Sequence, residues 1–279
     1  MNINLAGVVI LYNPDAMVLK NVQTYIDEIE VLYVIDNSDI VNNSVVEKLK
    51  KMDKIRYIHF NENRGIAYPL NFILSKVRDY EFLLTMDQDS CFKPNVMKKY
   101  KEHISIWAEK DSSIAVFAAD NTGLIHSKLY QFEESVMTSG NVIKTDIAKS
   151  IGGFREELFI DEVDSEFCYR LRRFAYKILI FYDLKMEHHL GNIKRYNTWA
   201  GHFNTTNHNS TRRYYMARNM LYIMGKYPEV RIKYLKNFIK MIIKIILAEN
   251  YKLEKMKYIG KGIHDYRHGR FGKYDSKNS

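Results

Sequence analysis

Two acidic clusters are the residues in this chain whose types and spacing could do chemistry. Asp87-Gln88-Asp89 follows the apolar run Phe82–Met86. Two carboxylates one residue apart at the end of a buried strand can share a divalent cation and a phosphorylated ligand. Hard oxygens suit Mg²⁺ or Mn²⁺, which binds through one or two carboxylates together with substrate phosphates. On spacing alone the tripeptide also reads as a solvated turn with Asp and Ser as caps. An EF-hand loop is excluded, because the turn glycine and closing Glu are missing. The second cluster runs Asp161-Glu162-Val163-Asp164-Ser165-Glu166 and ends at Arg170. A helix starting near Val163 puts Asp164 at its N-terminus, where the dipole favours an anion. Asp161 then reads as an N-cap, and Glu166 with Arg170 as an i,i+4 pair giving surface or local support.

The elements that must position these residues alternate. Leu5–Tyr12, Val31–Ile35, Ile55–Phe60 and Phe82–Met86 read as short strands. Ala16–Ile29, Val45–Lys51 and Tyr68–Val77 read as helices. This alternation predicts an α/β domain with a mostly parallel central sheet flanked by helices. Ligands bind such sheets at the carboxyl ends of the strands. Tyr12-Asn13, Asp36-Asn37-Ser38, Asn63-Arg64-Gly65 and Asp87-Gln88-Asp89 all follow strands, so they should meet on one rim. Further on, Ile114–Ala118, Gly140–Ile143 and Ile178–Tyr182 are strand-like. Asp146–Ser150 and Val163–Ala175 are helical, as is the pattern from Arg212 onward.

The chain has 279 residues, of which 46% are hydrophobic and 27% charged. That composition excludes collagen, low-complexity disorder and a disulfide-stapled miniprotein. Cys91 and Cys168 cannot build a four-cysteine zinc site. The net charge of +9 asks for an anionic partner. It is unevenly placed. Residues 212–279 hold seventeen Lys and Arg against five Asp and Glu, a net +12. The other 211 residues hold 25 against 28, a net −3. An acidic body repels a nucleic-acid backbone, and no zinc, helix-turn-helix or RNA-binding signature is present. The apolar run Leu5–Tyr12 ends at a turn signal, Asn13-Pro14, not at a cleavage site. Phe238–Ala248 contains Lys240 and Lys244 and is too short to span a bilayer. The expectation is a cytoplasmic chain without a transmembrane helix.

The combination of motifs resembles glycosyltransferase family 2, and within it the bacterial rhamnosyltransferase-like branch. The resemblance begins at Val9-Ile10-Leu11-Tyr12-Asn13-Pro14 and Val34-Ile35-Asp36-Asn37-Ser38. It continues through Asn63-Arg64-Gly65-Ile66-Ala67 with Asn71, and Asp87-Gln88-Asp89-Ser90. Thr138-Ser139-Gly140-Asn141, Ile151-Gly152-Gly153-Phe154 and Leu158-Phe159-Ile160-Asp161 follow. Last come Val163-Asp164-x-Glu166-Phe167-Cys168-x-Arg170, His188-His189-Leu190-Gly191, and Arg213-Tyr214-Tyr215 with Arg218-Asn219. Each motif is weak, but their order and spacing together are specific. The Gly-x-Gly-x-x-Gly of a dinucleotide-binding dehydrogenase is absent. A haloacid-dehalogenase-type phosphohydrolase would carry its Asp-x-Asp on the first strand, with Thr or Val where Cys91 stands.

The resemblance implies a GT-A nucleotide-diphospho-sugar transferase fold. Residues 1–95 would form the nucleotide-sugar half, 96–211 the acceptor-binding and catalytic half, and 212–279 a basic helical region. It implies Asp36 as the acid that recognises a pyrimidine base, and Asp87 as the nucleotide-side carboxylate. Asp89 would be the ligand of Mn²⁺ or Mg²⁺, with His188 near the same metal. Tyr12, Asn13, Asn63 and Gly65 would line the donor site, and Arg213 and Arg218 would contact phosphate. Asp164 matches the base that takes the proton from the acceptor hydroxyl, in one inverting displacement. Most family members carry Glu-Asp where this chain has Val163-Asp164, so the base assignment could move to Asp161 or Glu162. That Val, together with Gln88, favours dTDP-rhamnose as donor. A UDP-sugar hexosyltransferase and a noncatalytic carbohydrate- or nucleotide-binding module are the alternatives. The expected product is a cell-surface polysaccharide.

Lys233, Lys236, Lys240 and Lys244 form one helical stripe beside Leu235, Phe238, Ile239, Ile242, Ile243 and Ile246, which makes a basic amphipathic helix. Residues 230–248 therefore read either as a peripheral attachment to anionic lipid on the inner face of the membrane, near a lipid-linked saccharide acceptor, or as a helix packed on its own domain or in a homodimer. Lys273–Ser279 are expected to fray.

Overall fold

The computed structural model describes residues 3–188, 194–198, 201–205 and 207–275. The chain forms two compact units. One is Met1–Arg155 with Asp164–His189, and the other is Glu156–Val163 with Leu190–Ser279. The first holds the expected nucleotide-sugar half and, of the expected half 96–211, residues 96–155 and 164–189. The second contains the basic C-terminal region and also takes in the short segment Glu156–Val163.

The first unit opens with four parallel strands: β1 (Leu5–Leu11), β2 (Val31–Asp36), β3 (Ile55–His59) and β4 (Phe82–Asp87). Three helices connect them: α1 (Met17–Gln23), α2 (Asn43–Lys50) and α3 (Ala67–Lys76). The strand order is β3-β2-β1-β4, so the chain steps outward from β1, returns over the sheet and continues on β1's other side. β1 and β4 are almost wholly buried, which is why they read as continuous apolar runs. Beyond β4 the sheet becomes mixed. β5 (Ser90–Phe92), α4 (Val96–Lys110), β6 (Ile114–Asp120), β7 (Tyr130–Phe132), β8 (Asn141–Lys144), α5 (Thr145–Ser150), α6 (Val163–Arg173) and β9 (Lys177–His188) complete it. The order continues β8-β6-β9-β5, with β7 also on β9. β8 runs antiparallel to β4 and to β6, while β6 and β9 are parallel.

The second unit holds the two-stranded ribbon β10 (Lys194–Thr198) and β11 (Gly201–Thr205) and three helices. These are α7 (Ser210–Lys226), α8 (Arg231–Ala248) and α9 (Lys252–Arg267). Asn209 caps α7, its side-chain oxygen accepting the Arg212 backbone N–H. Gly262 lets α9 approach α7 closely, since a Cβ there would lie 2.6 Å from the Tyr214 carbonyl. Arg218 is the keystone. It is fully buried, and its five N–H donors face five acceptors. Nε donates to Asn219, Nη1 to the Tyr214 hydroxyl and the Gly272 carbonyl, and Nη2 to the Glu157 and Leu158 carbonyls. Its guanidinium also lies over the rings of Tyr214, Tyr215 and Phe271. Tyr274 corrects the expected fraying. Its backbone N–H donates to the Tyr215 hydroxyl at 2.6 Å, and its ring packs on Tyr214.

Candidate active site

Strand register fixes the rim. Leu11 pairs with Asp36 across β1 and β2, and Ile10 pairs with Asp87 across β1 and β4. Asp36 and Asp87 therefore stand on either side of the end of β1, two strand spacings or roughly 10 Å apart. Backbone and side-chain bonds stitch the loops between them. The Asn13 N–H donates to Ser38 Oγ at 2.7 Å, and the Asn37 amide donates to the Gly65 carbonyl at 2.6 Å. His59 Nε2 donates to the Ser38 carbonyl at 2.7 Å. The Gly65 N–H donates back to Asn63 Oδ1 at 2.9 Å, closing a local turn at a positive φ of 76° that glycine supplies without strain. Tyr12 and Asn13 are exposed at the rim, with Tyr12 46% accessible.

Asp36 is fully enclosed. One oxygen accepts the Ser38 N–H at 2.9 Å and the other accepts the Tyr57 hydroxyl at 2.7 Å. Burial and that carboxylate push the Tyr57 phenol above its ordinary range, so it stays a donor. In this structure Asp36 shapes the loop that follows β2. Tyr57 was not singled out from the sequence, because its partner lies 21 residues away and is met only through the β2–β3 pairing.

The Asp-x-Asp turn is buttressed from both sides. Gln88 uses its side-chain amide as a piece of strand. Oε1 accepts the Tyr12 N–H at 2.8 Å, and Nε2 donates to the Tyr12 carbonyl at 3.2 Å. Its own carbonyl accepts from the Asn21 amide at 2.8 Å. The Asp87 N–H donates to Ser139 Oγ at 3.0 Å, and Ser139 donates to Ser90 at 2.8 Å, both serines being buried. A Gln between two acids therefore makes structural sense, since a third carboxylate could not donate to the Tyr12 carbonyl. Among the described residues no group of three or more His, Cys, Asp and Glu side chains could hold a metal ion. Asp87 and Asp89 carry hard carboxylate oxygens, the ligand type that suits Mg²⁺ or Mn²⁺ held jointly with phosphates. The backbone of His188 pairs with Ser90, next to Asp89. The His188 side chain and residues 189–191 of that motif lie outside the described residues.

Asp164 lies in the first turn of α6 and lines a narrow cleft of about 10 Å³, room for about one water, whose walls include Thr85, Val116, Val136, Ile143, Phe154 and Phe167. Thr85 and Asp87 are two apart on β4, hence on one face, so the cleft adjoins the strand that ends in the Asp-x-Asp turn. The wall of the cleft is held by a buried pair, so of the surface and local roles the spacing allows, Glu166 and Arg170 take the local one. Glu166 is fully buried and Arg170 nearly so. Arg170 donates to Glu166 at 2.8–3.1 Å, to the Ile151 carbonyl and to the Gly153 carbonyl. Asn71 clamps the same segment. It accepts the Phe154 N–H at 2.7 Å and donates to the Phe154 carbonyl at 2.9 Å. Gly153, at φ 64°, has the Asn71 amide where a Cβ would stand. Phe154 then stacks on Phe167 with ring centroids 4.3 Å apart.

The two other acids near Asp164 in sequence are occupied inside the second unit. Asp161 meets Arg212 in a bidentate pair at 2.9–3.1 Å, and the Tyr234 hydroxyl donates to Glu162 at 2.6 Å. Phe159, Asp161 and Glu162 all have φ near 60°, which for side chains of these types is strained backbone. Asn219 holds the segment by donating to the Leu158, Ile160 and Asp161 carbonyls. Arg213 and Arg218 do not stand where a phosphate contact was expected. Arg218 is the keystone described above. Arg213 is buried against Glu249, which also takes Lys255 at 2.9 Å. Both guanidiniums are turned into the second unit's own core.

With this geometry in place, comparison with known proteins is informative. The chain is 28% identical over 284 residues to "dTDP-rhamnosyl transferase RfbF" of Shigella flexneri, covering 94% of each chain. Among solved structures it is similar to S. aureus TarS 1–349 in complex with UDP-GlcNAc, with a TM-score of 0.58 and 16% identity, over 96% of this chain and 82% of that one. It is also similar to GalNAc-T7 with UDP, GalNAc and Mn²⁺, with a TM-score of 0.57 and 12% identity. There it covers 67% of this chain and spans 44% of the other. These structural likenesses establish the GT-A-like fold. Residues 8–159 match the Glycosyl transferase family 2 profile, more than half the chain, and the protein is a glycosyltransferase belonging to that family.

Proposed function

We propose that the protein transfers L-rhamnose from dTDP-rhamnose to a hydroxyl of a saccharide acceptor, with inversion, during assembly of a cell-surface polysaccharide. The observation that carries the base assignment is the place of Asp164 in the first turn of α6, beside the strand that ends at Asp87. Asp161 and Glu162 meet Arg212 and Tyr234 within the second unit, and Asp164 lines a narrow cleft beside Thr85 of β4. Asp164 takes the acceptor's hydroxyl proton as that oxygen attacks the anomeric carbon. The bond from that carbon to the diphosphate oxygen breaks in the same step, which inverts the centre. The exposed Tyr12 ring and the loop around Asp36, Asn63 and Gly65 form the nucleotide end of the donor site. Asp87 and Asp89 would hold a divalent cation, Mn²⁺ or Mg²⁺, which when bound neutralises charge on the diphosphate. The donor sugar is inferred from the likeness to the Shigella flexneri dTDP-rhamnosyl transferase over almost the full length of both chains. The acceptor is a lipid-linked saccharide, and the enzyme works beside the membrane that holds it.

A panel of nucleotide sugars offered with oligosaccharide acceptors, read by release of nucleoside diphosphate, tests this assignment. Release of dTDP from dTDP-rhamnose, dependent on acceptor, is the expected result. Turnover of a UDP-hexose without turnover of dTDP-rhamnose would replace the donor, and no turnover of any donor would make the chain a binding module. Asp89→Ala should abolish the Mn²⁺-dependent part of donor affinity. Equal affinity with and without Mn²⁺ in the unmodified protein would remove the metal from the reading.

A further inference from the structure

Helix α8 buries Tyr234, Met241, Ile245 and Ala248 against its own unit. Its opposite side is not polar. Ile232, Leu235, Ile239, Ile243 and Ile246 are 45–69% accessible. At about 100° per residue these five fall within an arc of roughly 80°, centred nearly opposite the buried side, and they run for about 21 Å along the axis. An exposed aliphatic stripe of that length is unusual on a soluble surface. Past the end of the helix, Tyr251 is 76% and Leu253 89% accessible.

Lys236, Lys240, Lys233 and Lys244 occupy one flank of the stripe, between it and the buried side, and Arg231 stands on the other flank. The helix has no acidic residue. This charge pattern selects the occupant. A second copy offering the same face would bring lysines and no countercharge. An anionic bilayer offers both an apolar layer for the isoleucines and phosphates for lysines whose stems reach the interface. Among the described residues no helix is long and apolar enough to cross a membrane, so the geometry is that of a helix lying in the interface plane.

We infer that α8 docks this protein onto anionic lipid, with Ile232, Leu235, Ile239, Ile243 and Ile246 entering the acyl boundary and the lysine flank meeting lipid phosphates. The inference is independent of the donor assignment, because its test contains no sugar nucleotide. The full chain is sedimented with vesicles of phosphatidylcholine alone and with one-third phosphatidylglycerol. Binding to the anionic vesicles, little binding to the neutral ones, and release by 1 M NaCl are expected. Ile239→Asp with Ile243→Asp should weaken binding at least about a hundredfold, and Lys236→Gln with Lys240→Gln about thirtyfold. All four side chains are exposed, so melting temperatures should match that of the unmodified protein, as should dTDP release with a soluble acceptor. Absence of vesicle binding at low salt overturns the inference, as does binding that survives the paired aspartates. A concentration-dependent dimer that the same aspartates dissolve, without vesicle binding, would assign the face to a second copy instead.

Discussion

Replacing Asp161, Glu162 and Asp164 one at a time by their amides separates the base from the acids that hold the chain before it. Asp164→Asn keeps an oxygen that can accept the Ser165 N–H, now at 2.8 Å, so folding should be little affected. It removes the proton acceptor. General-base catalysis contributes about 10²- to 10⁴-fold, so kcat should fall by about that factor, roughly 3–5.5 kcal/mol of barrier, with donor affinity unchanged. Asp161→Asn should do the reverse. Its φ of 62° is a conformation that Asn tolerates at least as well as Asp, so the substitution removes charge without adding backbone strain. What is lost is the bidentate pair with Arg212, whose side chain is 39% accessible against 15% for Asp161. Discounted for that exposure, the pair is worth about 1–2 kcal/mol, or a fall in Tm of roughly 2–8 °C, with kcat nearly intact. Glu162→Gln keeps an acceptor for the Tyr234 hydroxyl and should cost less than about 1 kcal/mol. The assay pairs dTDP release with thermal denaturation. An Asp164→Asn variant within tenfold of the unmodified kcat would refute the assignment. So would an Asp161→Asn variant that loses turnover at unchanged Tm.

Tyr57→Phe takes one of two hydrogen bonds from the enclosed Asp36 carboxylate and should cost about 1–3 kcal/mol. Donor KM should rise several-fold with little change in kcat, and unchanged Tm and KM would show that Asp36 does not depend on this hydroxyl. Arg218→Met removes five donors from a network that is only partly supplied by other groups and should destabilise by about 2–4 kcal/mol. Arg218→Lys should not rescue it, because an ammonium cannot reach five acceptors in a fork; a circular dichroism melt within 3 °C of the unmodified protein would contradict the keystone role. Burial, with Arg212 and Arg213 nearby, lowers the His208 imidazole from 6.5 to about 4. The unfolded chain therefore binds a proton that the folded chain refuses between those values, and stability should fall as pH drops from about 6.5 toward 4. His208→Gln should flatten that part of a Tm-against-pH profile, and an equal slope in both proteins would refute the link.

Strands β1 to β4 were legible because each is a β-branched or aliphatic run that ends in turn residues, and those turns carry the chemistry. Asp87, Asp89, Asp36 and Asn63 could be placed on one rim for that reason. What holds them could not be read. Gln88 meets Tyr12 across 76 residues and Asn71 meets Phe154 across 83. Such contacts follow from strand order and register, which periodicity does not encode. Helix α4 was left unassigned because its inward residues Met97, Tyr100 and Ile104 are matched by Ile106, which is 62% accessible, so the apolar stripe is blurred. β9 was cut short at Tyr182, whereas it continues to His188 with charged Asp183, Lys185 and Glu187 alternating with apolar Leu184 and Met186.

The arginines of α7 show a deeper limit. A guanidinium fork reads the same whether its acceptors are phosphate oxygens or backbone carbonyls, and only tertiary structure distinguishes the two. For Arg218 the acceptors come from Glu157 and Leu158, about sixty residues earlier in the chain. This changes the meaning of the +12 found between 212 and 279. Arg213 and Lys255 are turned inward on Glu249, Arg218 is enclosed, and Arg212 is paired with Asp161. Asp161 and Glu249 offset two of those four charges. The lysines of α8 have no acid on their own helix, and they border the exposed isoleucines. Five of the remaining thirteen cations, Arg231, Lys233, Lys236, Lys240 and Lys244, flank the helix face that also offers apolar area, and an anionic lipid surface satisfies both demands at once.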